Sequence, residues 1–322
     1  MKVLVTGGAG YIGSVTAARL IEAGHCVTVL DDLSTGHEDA VPAGARFVRG
    51  RVHDAAELLG AELSSFDGAV HLAAASLVAE SVENPGKYQE NNVVGSDRLI
   101  DALARAGVGR IVFSSTAAVY GEPERVPIDE DAPCRPVNPY GESKLAIDRL
   151  LDDIAVRSGL ATVSLRYFNV AGAYAGLGER HRQESHLIPI ALQAALGQRE
   201  EMVIFGEDYP TPDGTCVRDY IHVADIAAAH LLALEHARAG AHLICNLGNG
   251  SGYSVREVLA TVEQVTERAL KVRVAGRRAG DPAVLVASAT RARRELGWAP
   301  ERPELSVMVA DAWELVAAGG DR

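Results

Sequence analysis

The sequence lacks an apolar run of about 18 residues, lacks an excess of basic residues and lacks paired cysteines, and each absence narrows what the chain can do. Without such a run no membrane-spanning helix is expected. With 31 Lys and Arg against 43 Asp and Glu, the formal net charge of −12 argues against nucleic acid or an anionic membrane as the main partner. An anionic small molecule stays possible, because a few local arginines can clamp phosphate on an acidic protein. The four cysteines, Cys26, Cys134, Cys216 and Cys245, lie far apart with no C-x-x-C, which predicts buried, reduced thiols rather than disulfides or a metal site. His181 and His186 stand beside Glu179 and Glu184, but their spacing matches no metal-ligand pattern and no metal is expected. A strand-like run begins at Lys2, leaving no room for a signal peptide, so the expected compartment is the cytoplasm.

What is present is a rhythm. Apolar strand-like runs at Lys2–Thr6, Cys26–Asp31, Ala45–Gly50, Gly68–Ala73, Arg110–Ser115 and Thr162–Phe168 alternate with helical patterns such as Ile12–Ala23, Asn91–Arg105 and Tyr140–Ser158. Continuous apolar strands between helices predict an α/β fold, a Rossmann-type doubly wound parallel sheet covered on both faces. After Phe168 the rhythm breaks into polar, glycine- and proline-bearing loops. The expected division is a dinucleotide-binding domain over residues 1–168, with a returning segment at about 215–240, and a smaller α+β substrate domain over 169–214 and 241–322.

The run VLVTGGAGYIG at residues 3–13 carries strand into helix through Gly7, Gly8, Gly10 and Gly13. Small residues there let the backbone turn tightly and bring a pyrophosphate against the helix N-terminus. The second strand ends in Asp31, 18 residues after Gly13, where a carboxylate accepts from a ribose diol and repels a 2′-phosphate. No arginine follows nearby, so NAD is favoured over NADP.

IVFSST at residues 111–116 ends a strand in three hydroxyl side chains, at the sheet edge where the nicotinamide end of a dinucleotide belongs. Tyr140 and Lys144 follow 24 and 28 residues after Thr116 and, one helical turn apart, project from one face. An ammonium beside the phenol is expected to lower the Tyr140 pKa, making it a base for a substrate hydroxyl, with Thr116 bonding the reacting oxygen. Tyr120 is a competing candidate.

TGGAGYIG, Asp31-Asp32, HLAA, SSTAAVYG and PYGESK together resemble the extended short-chain dehydrogenase/reductases. RYFNVAG, HLIPIALQAALGQ, IFGEDYPTPDGTCVRDYIHVAD and RRAGDPA further resemble the branch of that family that acts as 4-epimerases of UDP-glucose. The resemblance implies reversible interconversion of UDP-glucose and UDP-galactose through a 4-keto sugar, with tightly held NAD, a UDP-sugar as partner and a homodimer built through two helices of the first domain. It assigns catalysis to Thr116, Tyr140 and Lys144. It places Gly7, Gly10, Tyr11, Ile12, Gly13, Asp31, Asp32, Ser34, Val52, Leu72, Ala73, Ala74, Ser76, Asn92, Ser114, Tyr140, Lys144 and Phe168 on cofactor-contact positions. On the substrate side it implies Thr116, Asn169, His186, Leu187, Val203 and Phe205, a phosphate clamp of Arg218 and Arg278, and Asp281 toward a ribose hydroxyl.

Several positions depart from the family pattern. Thr116 replaces a serine, Arg51 an aspartate near adenine, Ser76 a lysine near the cofactor and His186 an asparagine, while Leu285 occupies a gate to the sugar pocket. The last two leave open a 4-epimerase of UDP-N-acetylglucosamine, UDP-xylose or UDP-glucuronate. A nucleotide-sugar 4,6-dehydratase is disfavoured, because Ala117 and Ala118 stand where that chemistry places an Asp-Glu pair. A non-catalytic NAD-binding regulator is disfavoured because it has no need of Thr116, Tyr140 and Lys144 together.

Overall fold

A computed structural model describes residues 1–181, 184–278 and 280–319. Its strands are β1 (Lys2–Thr6), β2 (Cys26–Asp31), β3 (Arg46–Arg49), β4 (Gly68–His71), β5 (Arg110–Thr116), β6 (Ala161–Tyr167), β7 (Asn169–Ala171), β8 (Met202–Phe205), β9 (Val217–His222), β10 (His242–Leu247), β11 (Gly252–Ser254), β12 (Val272–Ala275) and β13 (Val284–Leu285). The longer helices are α1 (Tyr11–Glu22), α2 (Gly95–Arg105), α3 (Pro139–Ser158), α4 (Leu187–Ala195), α5 (Val223–His236), α6 (Val255–Thr266) and α7 (Leu305–Gly319).

Seven strands form the larger sheet in the order β10-β6-β5-β4-β1-β2-β3, and every pairing is parallel. Successive strand residues face opposite sides. Val3 and Val5 therefore join a core with α1 and α5 through Ala17, Leu20, Ile226 and Ala229, while Leu4 joins the opposite core with α2 and α3 through Leu99, Leu103, Ile147 and Leu151. Helices on both faces explain why these strands read as unbroken apolar runs. Strand order reverses between β1 and β4, so the carboxyl ends of these two strands open a crevice.

The smaller sheet is centred on β9, which pairs with β7 and β13 in parallel and with β11 antiparallel; β8 and β12 form a separate parallel pair. Ile188 and Leu192 of α4, Ile204 of β8, Val258 and Val262 of α6, and Met308 and Val309 of α7 make its core.

The expected return to the main sheet at about 215–240 is displaced. Val217–His222 belongs to the smaller sheet, and the return consists of α5 and then β10, which pairs with β6. Cys245 and Leu247 are fully buried there. The helix expected over Asn91–Arg105 begins with a π-helical turn, Gln89–Val94, before α2. All four cysteines are free, but Cys26 is exposed at the start of β2, contrary to the expectation of buried thiols. No helix among the described residues is long and apolar enough to cross a membrane.

Candidate active site

The crevice is built first by glycine. Gly7 has φ 74°, and a Cβ there would lie 2.6 Å from the Ala73 nitrogen just past β4. A Cβ at Gly13 would lie 2.0 Å from the Gly7 oxygen. Gly10 differs, because its Cβ would meet only that oxygen, at 3.3 Å, with open space beyond. Gly10 is the N-cap of α1 and supplies no side-chain acceptor, so the first backbone N–H groups of a 12-residue helix face that space. Open space, free donors and the positive end of the helix dipole fit the pyrophosphate of a dinucleotide.

Asp31, at the end of β2, is buried and oriented by two backbone donors, with Oδ2 accepting from Ala9 N at 3.0 Å and Oδ1 from Leu33 N at 2.8 Å. Burial raises its pKa, and these two hydrogen bonds oppose the rise. Each oxygen keeps a lone pair for a ribose hydroxyl. Asp32 accepts from Ser34 N at 2.9 Å. Val52 is buried in the core under α2, and Arg51 beside it is exposed.

Leu72, Ala73 and Ala74 follow β4 and are half-buried, while Ser76 is exposed. The Asn92 carboxamide is engaged within the protein. It accepts from Ala75 N at 2.8 Å and donates to Ala75 O at 3.0 Å and to Ser143 Oγ at 3.1 Å. It braces the loop after β4 against α3. Tyr11 turns its hydroxyl away from the helix to donate to Gly172 O at 2.6 Å, and Ile12 packs half-buried beside Val15.

Asn138 caps α3, accepting from Gly141 N at 2.9 Å, with Pro139 in the first turn. This fixes where α3 starts and puts Tyr140 and Lys144 one turn apart over the end of β5. Lys144 is 2 % exposed, and its Nζ donates to Ser114 O at 2.8 Å and lies 4.7 Å from the Phe113 ring centroid. The Ser114 hydroxyl is hydrogen-bonded to the Tyr167 hydroxyl. Burial lowers the Lys144 pKa to about 8, against an opposing pull from Asp148.

Tyr140 departs from expectation in sign. Burial raises its pKa above the ordinary phenol value, and the hydrogen bond with Thr116 pulls it back. Lys144 Nζ is 5.9 Å from the Tyr140 ring centroid and directs one of its three N–H groups to Ser114 O, so desolvation outweighs its effect on the phenol. Thr116 is the half-buried end of β5 and also accepts from Ala118 N at 3.2 Å. Tyr120 is excluded as the competing base. It is 1 % exposed, donates to Asn246 Oδ1 at 2.7 Å and accepts from Arg166 Nη1 at 3.0 Å, and burial pushes its pKa up to about 12.

Sequence reasoning missed the buried pair beneath. Arg166 and Asp148, each with a side chain 3 % exposed, meet at 2.9 Å, and Ser115 Oγ donates to the same carboxylate at 3.2 Å. A charged residue, Arg166, near the end of an otherwise uncharged buried strand was the available signal. Asp219 was also missed; it is fully buried and accepts from the backbone of Asn249, Gly250 and Ala287, tying β9 to its flanking loops.

Across the crevice, Arg218 forms an ion pair with Asp281 instead of standing free, and the Cys216 thiol approaches the same carboxylate at 3.7 Å. Arg278 is exposed, its guanidinium 3.9 Å from the Phe205 ring centroid. Val203 and Phe205 are half-buried on β8, and Asn169 Nδ2 donates to Asp219 O at 3.2 Å. Leu187 is the first residue of α4 and His186 its N-cap. Phe168 and Leu285 pack on one small cluster with Ala117 and Tyr120, next to Thr116. A cleft of about 720 Å³ between the 171–181 segment, α4 and α7 lies apart from these groups; none of Thr116, Tyr140 and Lys144 lines it.

The model of the NAD dependent epimerase/dehydratase family matches residues 3–248 of this chain. A UDP-glucose 4-epimerase of Streptomyces lividans is 58% identical over 316 residues, covering 97% of this chain and 95% of the relative. One of Corynebacterium glutamicum is 55% identical over 322 residues, covering 100% of this chain and 98% of the relative. The crystal structure of a UDP-glucose 4-epimerase from Brucella ovis in complex with NAD superposes with a TM-score of 0.93 at 44% identity, covering 97% of both chains.

Proposed function

Because the chain belongs to the NAD dependent epimerase/dehydratase family, we propose that it interconverts UDP-glucose and UDP-galactose by inverting C4 of the sugar, with NAD held through each turnover. The observation that carries this reading is the convergence of Thr116, Tyr140 and Lys144 at the carboxyl edge of the sheet, beside a glycine cradle open only above Gly10. Ala117 and Ala118 lack the acid and base that dehydration requires.

Gly7 and Gly13 shape the turn, the space above Gly10 at the start of α1 would hold the NAD pyrophosphate, and Asp31 would hold a ribose diol. When bound, NAD would supply the hydride acceptor and donor that inversion at C4 of the sugar requires. Tyr140, whose pKa burial raises, would remove the proton from the sugar 4′-hydroxyl and give it back once cationic charge beside it offsets that burial, so one residue serves both directions. Thr116 donates to the reacting oxygen as that oxygen becomes a carbonyl. Lys144, fixed by Ser114, holds the nicotinamide ribose and keeps positive charge near the phenolate. Arg218 and Arg278 clamp the diphosphate, which suits the fork of a guanidinium, while Leu187, Val203 and Phe205 enclose the uridine.

Arg218 must exchange Asp281 for phosphate, and the freed carboxylate then reaches a ribose hydroxyl. The protein works in the cytoplasm as a homodimer joined through two helices of its first domain; light scattering reports the dimer. Incubation with UDP-glucose, UDP-N-acetylglucosamine and UDP-xylose separately, followed by NMR of the sugar anomeric protons, tests the substrate. Formation of UDP-galactose is expected, and conversion of only the xylose compound would contradict the reading.

A further inference from the structure

The segment between β7 and α4 folds four side chains onto one point. His186 Nδ1 lies 2.6 Å from Glu179 Oε1 and 2.9 Å from Glu184 Oε1, and His181 Nδ1 lies 2.9 Å from Glu179 Oε1 and 3.8 Å from Glu184 Oε2. One donor atom from each of the four falls within 4.8 Å of all the others. We propose that Glu179, His181, Glu184 and His186 bind one divalent cation of the zinc class, and that this cation ties Glu179 and His181 to Glu184 and His186 at the start of α4.

The donor set fits that ion. Two imidazole nitrogens and two carboxylates are zinc ligands, and metal–ligand bonds of about 2.0–2.2 Å in a tetrahedron separate the donors by about 3.3–3.5 Å. The N–O separations are 2.6, 2.9, 2.9 and 3.8 Å. Three of them are hydrogen-bond lengths, so a cation would displace the Nδ1 protons and part those groups by about 0.5 Å. The Glu179 and Glu184 side chains are 8 % and 4 % exposed, so two carboxylates face each other out of water and require positive charge between them. Both histidines turn the same nitrogen, Nδ1, to that point. Ser185 N and His186 N each donate to Glu184 Oε1 at 2.8 Å, which sets the carboxylate in place. Glu179, His181 and Glu184 also line the cleft of about 720 Å³, which gives an ion a way in.

Four protein ligands leave no position for a substrate, so the role is structural. One end of the segment is already tied to the first domain. Gly172 O accepts from Tyr11, Arg180 pairs with Asp39 through Nη1 and Nη2 at 2.9 and 2.8 Å, and Arg180 O lies 2.9 Å from His37 Nε2. The other end is the N-cap of α4, in the second domain. A cation at the cluster closes the span between these anchors, as a staple placed in the middle of a bridge.

The test uses untagged full-length protein, dialysed against a chelator and titrated with zinc chloride alone by calorimetry. One zinc per chain is expected, with micromolar or tighter affinity and a raised unfolding temperature. His181→Ala and Glu179→Gln are expected to weaken binding at least about tenfold, and His236→Ala, exposed at the end of α5, to leave it unchanged. Stoichiometry well below one, or equal affinity in wild type and His181→Ala, overturns the proposal and leaves protonated histidines as the partners of the two carboxylates. If a variant fails to fold, cobalt titration of the wild-type chain decides: intense visible bands of tetrahedral cobalt support the site, and a weak octahedral spectrum overturns it.

Discussion

The ammonium of Lys144 donates to the carbonyl oxygen of Ser114 over 2.8 Å, tying the first turns of α3 to the last residues of β5. That bond joins the packing of Ile147 and Leu151 in holding the elements that carry Tyr140 and Thr116 together, and it is made by a charge almost wholly removed from water. The cation is therefore costly to the fold and useful to the site.

Its cost has a defined pH dependence. Burial lowers the Lys144 pKa to about 8 from its ordinary 10.5, so the unfolded chain binds more protons than the folded one between these values. Stability then rises with pH across that window and falls as pH drops through about 8. Urea unfolding is expected to show wild type gaining about 2 kcal/mol on Lys144→Met between pH 7.5 and 9.5. Parallel pH profiles for the two proteins would contradict the assignment.

Gly13 and Gly10 of the turn predict different failures. Gly13→Ala drives a methyl onto the Gly7 carbonyl and is expected to destabilise by about 2–3 kcal/mol or more. Gly10→Ala has room in the fold but fills the space above α1, so it is expected to unfold within a few degrees of wild type, about 1 kcal/mol or less, while losing NAD. Thermal unfolding and the NAD content of the purified chains check both. Full NAD occupancy in Gly10→Ala would move the pyrophosphate elsewhere.

Arg218→Ala removes a charge-assisted contact worth about 1.5–3 kcal/mol, so KM for UDP-glucose is expected to rise about 10- to 100-fold with kcat much less affected. Asp281 loses its partner as well, and Arg218→Lys, a point charge without the fork, is expected to recover only part of the affinity. Steady-state kinetics separate these outcomes; an unchanged KM in Arg218→Ala would remove this residue from the clamp.

Much of the first domain was legible because its physics is local. A parallel strand buried on both faces must be apolar throughout, and a strand-to-helix turn around phosphate must be glycine, so β1, Gly7 to Gly13 and Asp31 could be read in order. Asn138 and Pro139 likewise announce the start of α3 and therefore the facing of Tyr140 and Lys144. What was hidden depends on distant partners. The strand β10 owes its place to β6, 80 residues earlier by its Thr162–His242 pairing. The Tyr140 pKa moves with burial that no spacing reports, Asn92 is claimed by a loop backbone, and Arg218 by Asp281 across the smaller domain. Glu179, His181, Glu184 and His186 share neither a helical nor a strand period, so only the folded loop brings them together.

The role of Tyr140 is tested most directly by the turnover of Tyr140→Phe on UDP-glucose, measured on protein whose NAD content and unfolding temperature match wild type. The account predicts that kcat falls by about 10²–10⁴, the usual contribution of a positioned acid–base group. Near-normal turnover with NAD in place would show that another group takes the 4′-hydroxyl proton.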